Sequence, residues 1–392
     1  MVLVGAVAGA AASGVLADRF GRRHVLIGAA MIFVGGTVGT ALAPTFMVLL
    51  VGRLVVGVAI GTASFVTPVY ISEIAPPALR GSLVAVNQLA LTVGIVLAYV
   101  VDYVFAAAGA WRWMFGVGVI PAVGLGIGMF LLPDSPRWLM SVGRLQLAQH
   151  ILLRIRGTTD VQQEVDTITA SLNQQTGSWH LLWSPAMRMP LLVGVGLALF
   201  QQLTGVNTVI YYAPTIFQSA GFRSASSAIL ATFAVGIVNV AFTGVAVWLL
   251  DRVGRRPLLL GGLIGMTVSL FVLGAGFALH AATSVVGIIT IGSLMVYVAA
   301  FAIGLGPVFW LLIAEIYPLQ VRGRAMSVAA VTNWGANLLV TLTFLTLVGV
   351  LGRTGTFWLF AGMSVIAWVF SRKFVPETKG RTLEQIEKEL HQ

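Results

Sequence analysis

The chain has no cysteine, and only 9% of its 392 residues are charged, against roughly 25% in an ordinary soluble domain. The missing thiols exclude disulfide frameworks, thiolate metal sites and cysteine nucleophiles together. The shortage of charge argues against a water-soluble fold. Histidine is sparse as well: the five, at 24, 150, 180, 280 and 391, are scattered without metal-ligand spacing. No G-x-G-x-x-G or P-loop sequence occurs and no Ser/His/Asp set can be assembled, so there is no sign of an enzyme, a metal site or a cofactor site.

What the chain has in abundance is apolar length. Hydrophobic residues make up 58% of it. Crossing about 30 Å of hydrocarbon at 1.5 Å per residue takes about 20 mostly apolar residues. Such runs fall near 1–17, 25–43, 47–66, 82–102, 112–132, 190–210, 227–250, 257–279, 285–309, 324–348 and 355–371. The expectation is an all-α membrane protein with eleven spans.

The net charge is +10, a total that raises nucleic acid or anionic lipid as a partner, and placement decides between them. When successive loops are assigned to alternate sides, 19 of the 23 basic residues fall on one side. Three lie opposite (Arg112, Arg223 and Arg353), and Arg53 falls inside a span. Basic residues near span ends mark the cytoplasmic side. The excess is therefore a topology signal that calls for no nucleic acid, and the C-terminus is expected to be cytoplasmic. Counting back puts Met1 outside, with no positive n-region and no small-residue cleavage motif before the first basic loop. The odd count leads us to expect twelve spans in the full protein, with one before Met1 absent.

Two sequences recur. Asp-Arg-Phe-Gly-Arg-Arg at 18–23 returns as Asp-Arg-Val-Gly-Arg-Arg at 251–256, and EIAPPALRG at 73–81 returns as EIYPLQVRG at 315–323. A looser pair is PDSPR at 133–137 and PETKG at 376–380. All lie on the cytoplasmic side of both halves, which implies parallel repeats about an axis along the membrane normal. The expected division is an N-terminal bundle over 1–132 and a cytoplasmic linker over 133–189, then a C-terminal bundle over 190–371 and a tail over 372–392. The linker reads either as short amphipathic helices at the cytoplasmic face, over 138–156 and 161–172, or as a solvated tether.

Taken in order, GVLADRFGRR at 14–23, GRLVVG at 52–57, PVYISEIAP at 68–76, PDSPR at 133–137, QQLTGVN at 201–207, DRVGRR at 251–256, GPVFW at 306–310 and PETKGR at 376–381 resemble the sugar porters of the major facilitator superfamily. The resemblance runs from what would be the family's second span to the end. It departs at Asp134, where the family usually has Glu, and in the absent first span. It implies the major facilitator fold, with two parallel-repeat bundles and eleven spans present of twelve. The implied activity is transport of a monosaccharide of glucose or xylose type by alternating access, with the proton as a coupled partner. A facilitator, a polyol carrier and a non-transporting sensor are the alternatives, and the short tail argues against the sensor. The implied location is the plasma membrane, with lipid around the chain and no enzymatic activity.

Sugar hydroxyls both donate and accept, so a site needs Asn and Gln together with an aromatic face. Gln88, Gln201, Gln202, Asn207, Asn239, Trp310, Asn333 and Trp334 are such residues in apolar spans. A lone buried amide can equally be an interhelical hydrogen bond. Gln201 and Gln202 do not share one helix face with Asn207, so a local break near Gly205 is expected to bring them together. By resemblance, Gln88, Gln201, Gln202, Asn207, Asn239, Trp310 and Asn333 match the family's sugar-contacting positions. Ala302 stands where facilitative animal members tend to carry Glu, which is closer to the bacterial branch.

Arg53 has no acidic partner near the midplane that the sequence makes visible. It is read either as functional or as snorkelling to an interface about 10 Å away. By resemblance it is the coupling residue, whose Asp partner belongs to the absent span. Asp18, Arg22, Glu73 and Arg80, with Asp251, Arg255, Glu315 and Arg322, form two equivalent acid–base sets. They are read as a cytoplasmic gate or as ordinary topology-setting charge. Gly5 and Gly9, like Gly57 and Gly61, have the small-xxx-small spacing of close helix packing.

Overall fold

The computed structural model describes residues 1–76, 80–158, 160–173, 179–222, 224–279, 283–317 and 321–379. Among them every regular element is helical. Ten apolar helical stretches are long enough to cross a membrane. The last of these, Gly323–Phe374, has 52 residues, far more than one crossing uses. It is two helices joined across Gly352, whose φ of 68° ends the first. The eleven expected passes are thereby accounted for.

The chain divides into two compact units. The first comprises Met1–Val84, Phe115–Arg188 and Tyr317–Trp334; the second comprises Ala85–Met114, Met189–Ile316 and Gly335–Gln392.

In the first unit, α1 (Val2–Phe20), α2 (Arg22–Ala41) and α3 (Phe46–Ile74) pack on one another. Thr45 caps α3 by accepting from the Val48 N–H. The glycine spacing does what it predicts. A Cβ at Gly5, Gly9, Gly57 or Gly61 would run into the backbone of the facing helix, at Leu54, Val58, Val2 and Ala6 respectively. Hydrocarbon gives no hydrophobic drive for helices to associate, and close backbone approach supplies dispersion contacts in its place. Pro68 lies inside α3, which runs on to Ile74, past the expected end at 66.

The linker of this unit is helical: α7 (Pro136–Ser141), α8 (Leu145–Arg156) and α9 (Gln162–Asn173). Trp138, Leu139, Ala148 and Ile151 form a buried cluster. Arg156 fixes the segment to the end of α3 by donating to the Ile74 carbonyl at 2.8 Å while pairing with Glu164 at 2.7 Å.

In the second unit the passes are α4 (Arg80–Ala106, from Ala85), α11 (Arg188–Leu203) with α12 (Val206–Ser219), α13 (Ala225–Val253), α14 (Arg255–Ala278), α15 (Thr283–Ile303) with α16 (Leu305–Ile316), and the later part of α17 (Arg322–Phe374). Burial separates their roles. In the stretch Pro185–Ser219, 61% of the most apolar window is buried, against 11% in Val86–Ala106. The amide-bearing pass is thus enclosed by protein, whereas α4 turns Leu91, Leu97 and Val104 outward, as a lipid-facing helix does. Between α14 and α15, Gly262 and Gly304 bring the backbones together: a Cβ on Gly262 would lie 2.7 Å from the Ala300 carbonyl.

Candidate functional site

The expected break lies at Gly205. Its φ of 89° and ψ of 14° are left-handed, a conformation that costs glycine little and other residues roughly 1–2 kcal/mol. There is no room for a side chain either, since a Cβ would stand 2.7 Å from the Phe360 ring. In a straight helix, residues 202 and 207 would point about 140° apart. Across the break, Asn207 Nδ2 donates to Gln202 Oε1 at 2.7 Å.

The break is tied down from both sides. The fully buried Tyr297 donates its hydroxyl to the Thr204 carbonyl at 2.8 Å, and the Thr204 hydroxyl donates to the Gln201 carbonyl at 3.2 Å. Gln201 Nε2 in turn donates to the carbonyls of Leu305 (3.1 Å) and Gly306 (3.3 Å). Those carbonyls lie where α15 gives way to α16 at Gly304, next to Pro307, which adds no N–H to the ladder. Two helix interruptions are thus joined through one glutamine. The second was not legible in the sequence, where 285–309 reads as one plain span. Trp310 follows on α16, half-buried, with its ring 4.8 Å from that of Phe309.

Gln88 is half-buried on α4. Asn239 is buried on α13 and lines a small cleft with Ile95, Tyr99, Val209, Ile210 and Gly236. Gln88, Gln201, Gln202, Asn207, Asn239 and Trp310 all belong to the second unit. Asn333 is buried in the first unit, and its neighbour Trp334 donates from Nε1 to the Ser64 hydroxyl at 3.0 Å. The sequence reading passed over Asn337. It is 2% exposed, donates to the Tyr211 hydroxyl at 3.4 Å and accepts from Thr341 at 3.1 Å. The signal was one helical turn after Asn333.

Arg53 pairs with no carboxylate among the described residues. Its guanidinium carbon stands 4.8 Å from the centroid of the Phe115 ring.

The charges of the two acid–base sets form one cluster in each unit. Arg22 grips Glu73 through Nε (3.0 Å) and Nη2 (3.1 Å) and also pairs with Asp18 at 3.2 Å. Arg255 pairs with Glu315 at 3.1 Å. The backbone positions of Arg80, Asp251 and Arg322 are helical, and their side chains lie outside the described residues. Each cluster contains an acid from the looser repeat. Asp134 accepts from the backbone N–H of Arg23 (3.3 Å) and of Ser135 (2.8 Å). Glu377 accepts from those of Arg255 and Arg256, both at 3.0 Å. Burial pushes the Glu377 carboxyl up, but the amides of Lys379, Arg255, Arg256 and Thr378 outweigh it and hold the group below its ordinary range.

The chain is similar to known proteins. The family described as "Sugar (and other) transporter" matches residues 1–390. The D-xylose transporter of Levilactobacillus brevis is 41% identical over 395 residues, covering 99% of this chain and 86% of that protein. The galactose-proton symporter of Escherichia coli K12 is 40% identical over 391 residues, covering 99% and 84%. A solved structure of the major facilitator superfamily proton:xylose symporter XylE, bound to 6-bromo-6-deoxy-D-glucose, superposes with a TM-score of 0.87 at 37% identity, over 99% of this chain and 87% of that one.

Proposed function

The chain belongs to the sugar transporter family of the major facilitator superfamily and is a multi-pass membrane protein; from that premise we propose that it carries a monosaccharide of the glucose or xylose type by alternating access, in symport with protons. The named activities of its relatives support the substrate class and the coupling. The segregation of basic residues supports a plasma-membrane orientation with the C-terminus in the cytoplasm. In this reading 1–132 and 190–371 are the moving bundles, 133–189 is the cytoplasmic linker and 372–392 the tail.

The observation that carries the reading is the Gly205 break. It places the Asn207 and Gln202 amides 2.7 Å apart inside an otherwise apolar, largely buried stretch. Such a pair can exchange its mutual bond for bonds to a sugar hydroxyl, which donates and accepts in the same way. Gln88, Gln201, Asn239 and Asn333 add amides, and Trp310 an aromatic face for the sugar's C–H surface. Arg53 is the coupling cation. Asp18, Arg22, Glu73 and Arg80, with Asp251, Arg255, Glu315 and Arg322, are the charges that a cytoplasmic gate would rearrange.

Gln202→Ala removes one partner of a buried hydroxyl, a loss of about 1–3 kcal/mol, so sugar affinity should fall about tenfold. Binding of D-xylose and D-glucose by titration calorimetry reads this directly, and unchanged affinity removes Gln202 from the site. Labelled uptake with and without a protonophore tests the coupling. Uptake that collapses with the proton gradient supports symport, whereas equilibration that ignores it makes the chain a facilitator.

A further inference from the structure

Most cation–ring contacts among the described residues are local. Arg19 with Phe20, Arg112 with Trp111 and Lys373 with Phe374 are chain neighbours, while Arg252 with Trp248 and Arg372 with Trp368 are four residues apart on one helix. Adjacency in the chain brings the first three together, and the i, i+4 spacing of a helix the other two. Arg53 and Phe115 are 62 positions apart, on α3 and on α5 (Trp111–Gly116), and only tertiary structure places a ring 4.8 Å from that guanidinium. The other distant pair, Arg353 with Phe277, is looser, at 5.9 Å.

The surroundings fix both partners. Just before Arg53, Gly52 presses α3 onto α2, where a Cβ would stand 2.5 Å from the Thr40 hydroxyl. Just after Phe115, the chain turns between α5 and α6 (Val119–Leu131), with the Gly118 N–H donating to the Phe115 carbonyl at 3.0 Å. That turn rests on α2 as well: a Cβ at Gly118 would lie 3.6 Å from the Phe33 ring and 3.7 Å from the Thr37 methyl. The segments that carry cation and ring are therefore both held against successive turns of one face of α2, in the same unit.

We propose that Phe115 is a positioning residue whose ring face seats the Arg53 guanidinium inside the pass. A cation in hydrocarbon is costly without a partner, and a ring face within about 6 Å is an electrostatic partner that strengthens as water is excluded. Unlike a carboxylate, the ring does not titrate. Arg53 thus keeps one partner at every pH, and a coupling acid that takes up a proton does not leave the cation stranded. This consequence rests on the coupling role proposed for Arg53, whereas the seat itself does not.

The test uses the full chain in lipid vesicles with phenylglyoxal, which attacks the neutral guanidine. Modification of Arg53 is followed by mass spectrometry of its peptide, and Arg22, remote from the ring, serves as internal reference. Replacing Phe115 by mono-, di- and trifluorophenylalanine drains the ring face with little change of shape. Arg53 labelling should accelerate stepwise along that series. It should rise about threefold or more in Phe115→Met, which keeps apolar bulk without a π face, and stay near the parent rate in Phe115→Tyr. A flat fluorination series, with Phe115→Met protecting as well as Phe, would overturn the proposal and reduce the ring to packing. The pH profile of uptake in the same vesicles separates the two readings: stepwise labelling with an unmoved profile keeps the seat and removes the coupling role.

Discussion

The two turns inside the repeated Asp-Arg-x-Gly-Arg-Arg sequences share a plan and differ in finish. Each turns on a glycine in the left-handed region, Gly21 at φ 87° and Gly254 at φ 104°. Each sends its next arginine to a glutamate at the end of a distant helix, Arg22 to Glu73 and Arg255 to Glu315. Each lets a carboxylate from the looser repeat lie so close to the glycine that a side chain there would collide with it. In the second unit that acid is Glu377, and its two oxygens take the two leading N–H groups of α14. In the first it is Asp134, one methylene shorter, which takes a single N–H of α2 at 3.3 Å and leaves its other oxygen 3.3 Å from His24. One methylene thus decides whether the turn's acid caps the following helix doubly or singly, since orphan N–H groups at a helix start donate to whatever oxygen can reach them.

The arginine pairs differ in the opposite sense, and breaking them should give the largest effect. Glu73 is 9% exposed and gripped through two nitrogens, whereas Glu315 is 26% exposed and also accepts from the Thr378 hydroxyl at 2.5 Å. Arg22→Ala strands a buried charge and should destabilise the protein by about 3 kcal/mol. Arg255→Ala leaves Glu315 wetter and still partnered, so about 1–2 kcal/mol is expected there. Denaturant unfolding in detergent micelles measures both, and equal losses would erase the distinction between the clusters.

How far the sequence anticipates this molecule depends on the reach of each constraint. Hydrocarbon thickness acts on single segments, so the passes are legible one by one and the helical fold follows. The break at Gly205 is legible because two glutamines and an asparagine at that spacing cannot converge on a straight helix. The interruption at Gly304 carries no such local contradiction, and its meaning appears only when Gln201 is seen donating to Leu305 and Gly306. The same holds for Arg53. A reading that searches for an acid finds none in the span, while a ring 62 residues away leaves no trace in spacing. The acid–base sets are legible as repeats, yet nothing in the sequence says that Glu73 is more deeply buried than Glu315.

A smaller effect sharpens the carboxylate comparison. Glu377→Asp gives the second unit the acid of the first, and should cost one N–H contact, about 1 kcal/mol. The loss should be local. Hydrogen exchange at the Arg255 amide, the counterpart of Arg22, should quicken about fivefold, while the Arg256 amide and its counterpart Arg23, served by Asp134, do not change. Exchange that quickens equally at Arg255 and Arg256 would mean that the shorter acid releases both groups rather than one.

The smallest expected effect is a dependence on pH at the same turn. Burial alone would favour the protonated form of Glu377, but four backbone N–H groups bind the charged form and prevail, leaving its carboxyl below the ordinary range. A group depressed in this way stabilises the fold above its unfolded pKa, and that contribution is lost as pH falls through the folded one. The cap should therefore be complete from neutrality down to about pH 5 and should fail only below about pH 4, under the usual glutamate value. Once corrected for intrinsic chemistry, exchange at the Arg255 and Arg256 amides should be level across the first interval and rise in the second. Glu377→Gln, which has no proton to gain, should show faster exchange throughout and no step. A step above pH 5 in the parent protein would mean that burial outweighs the amides.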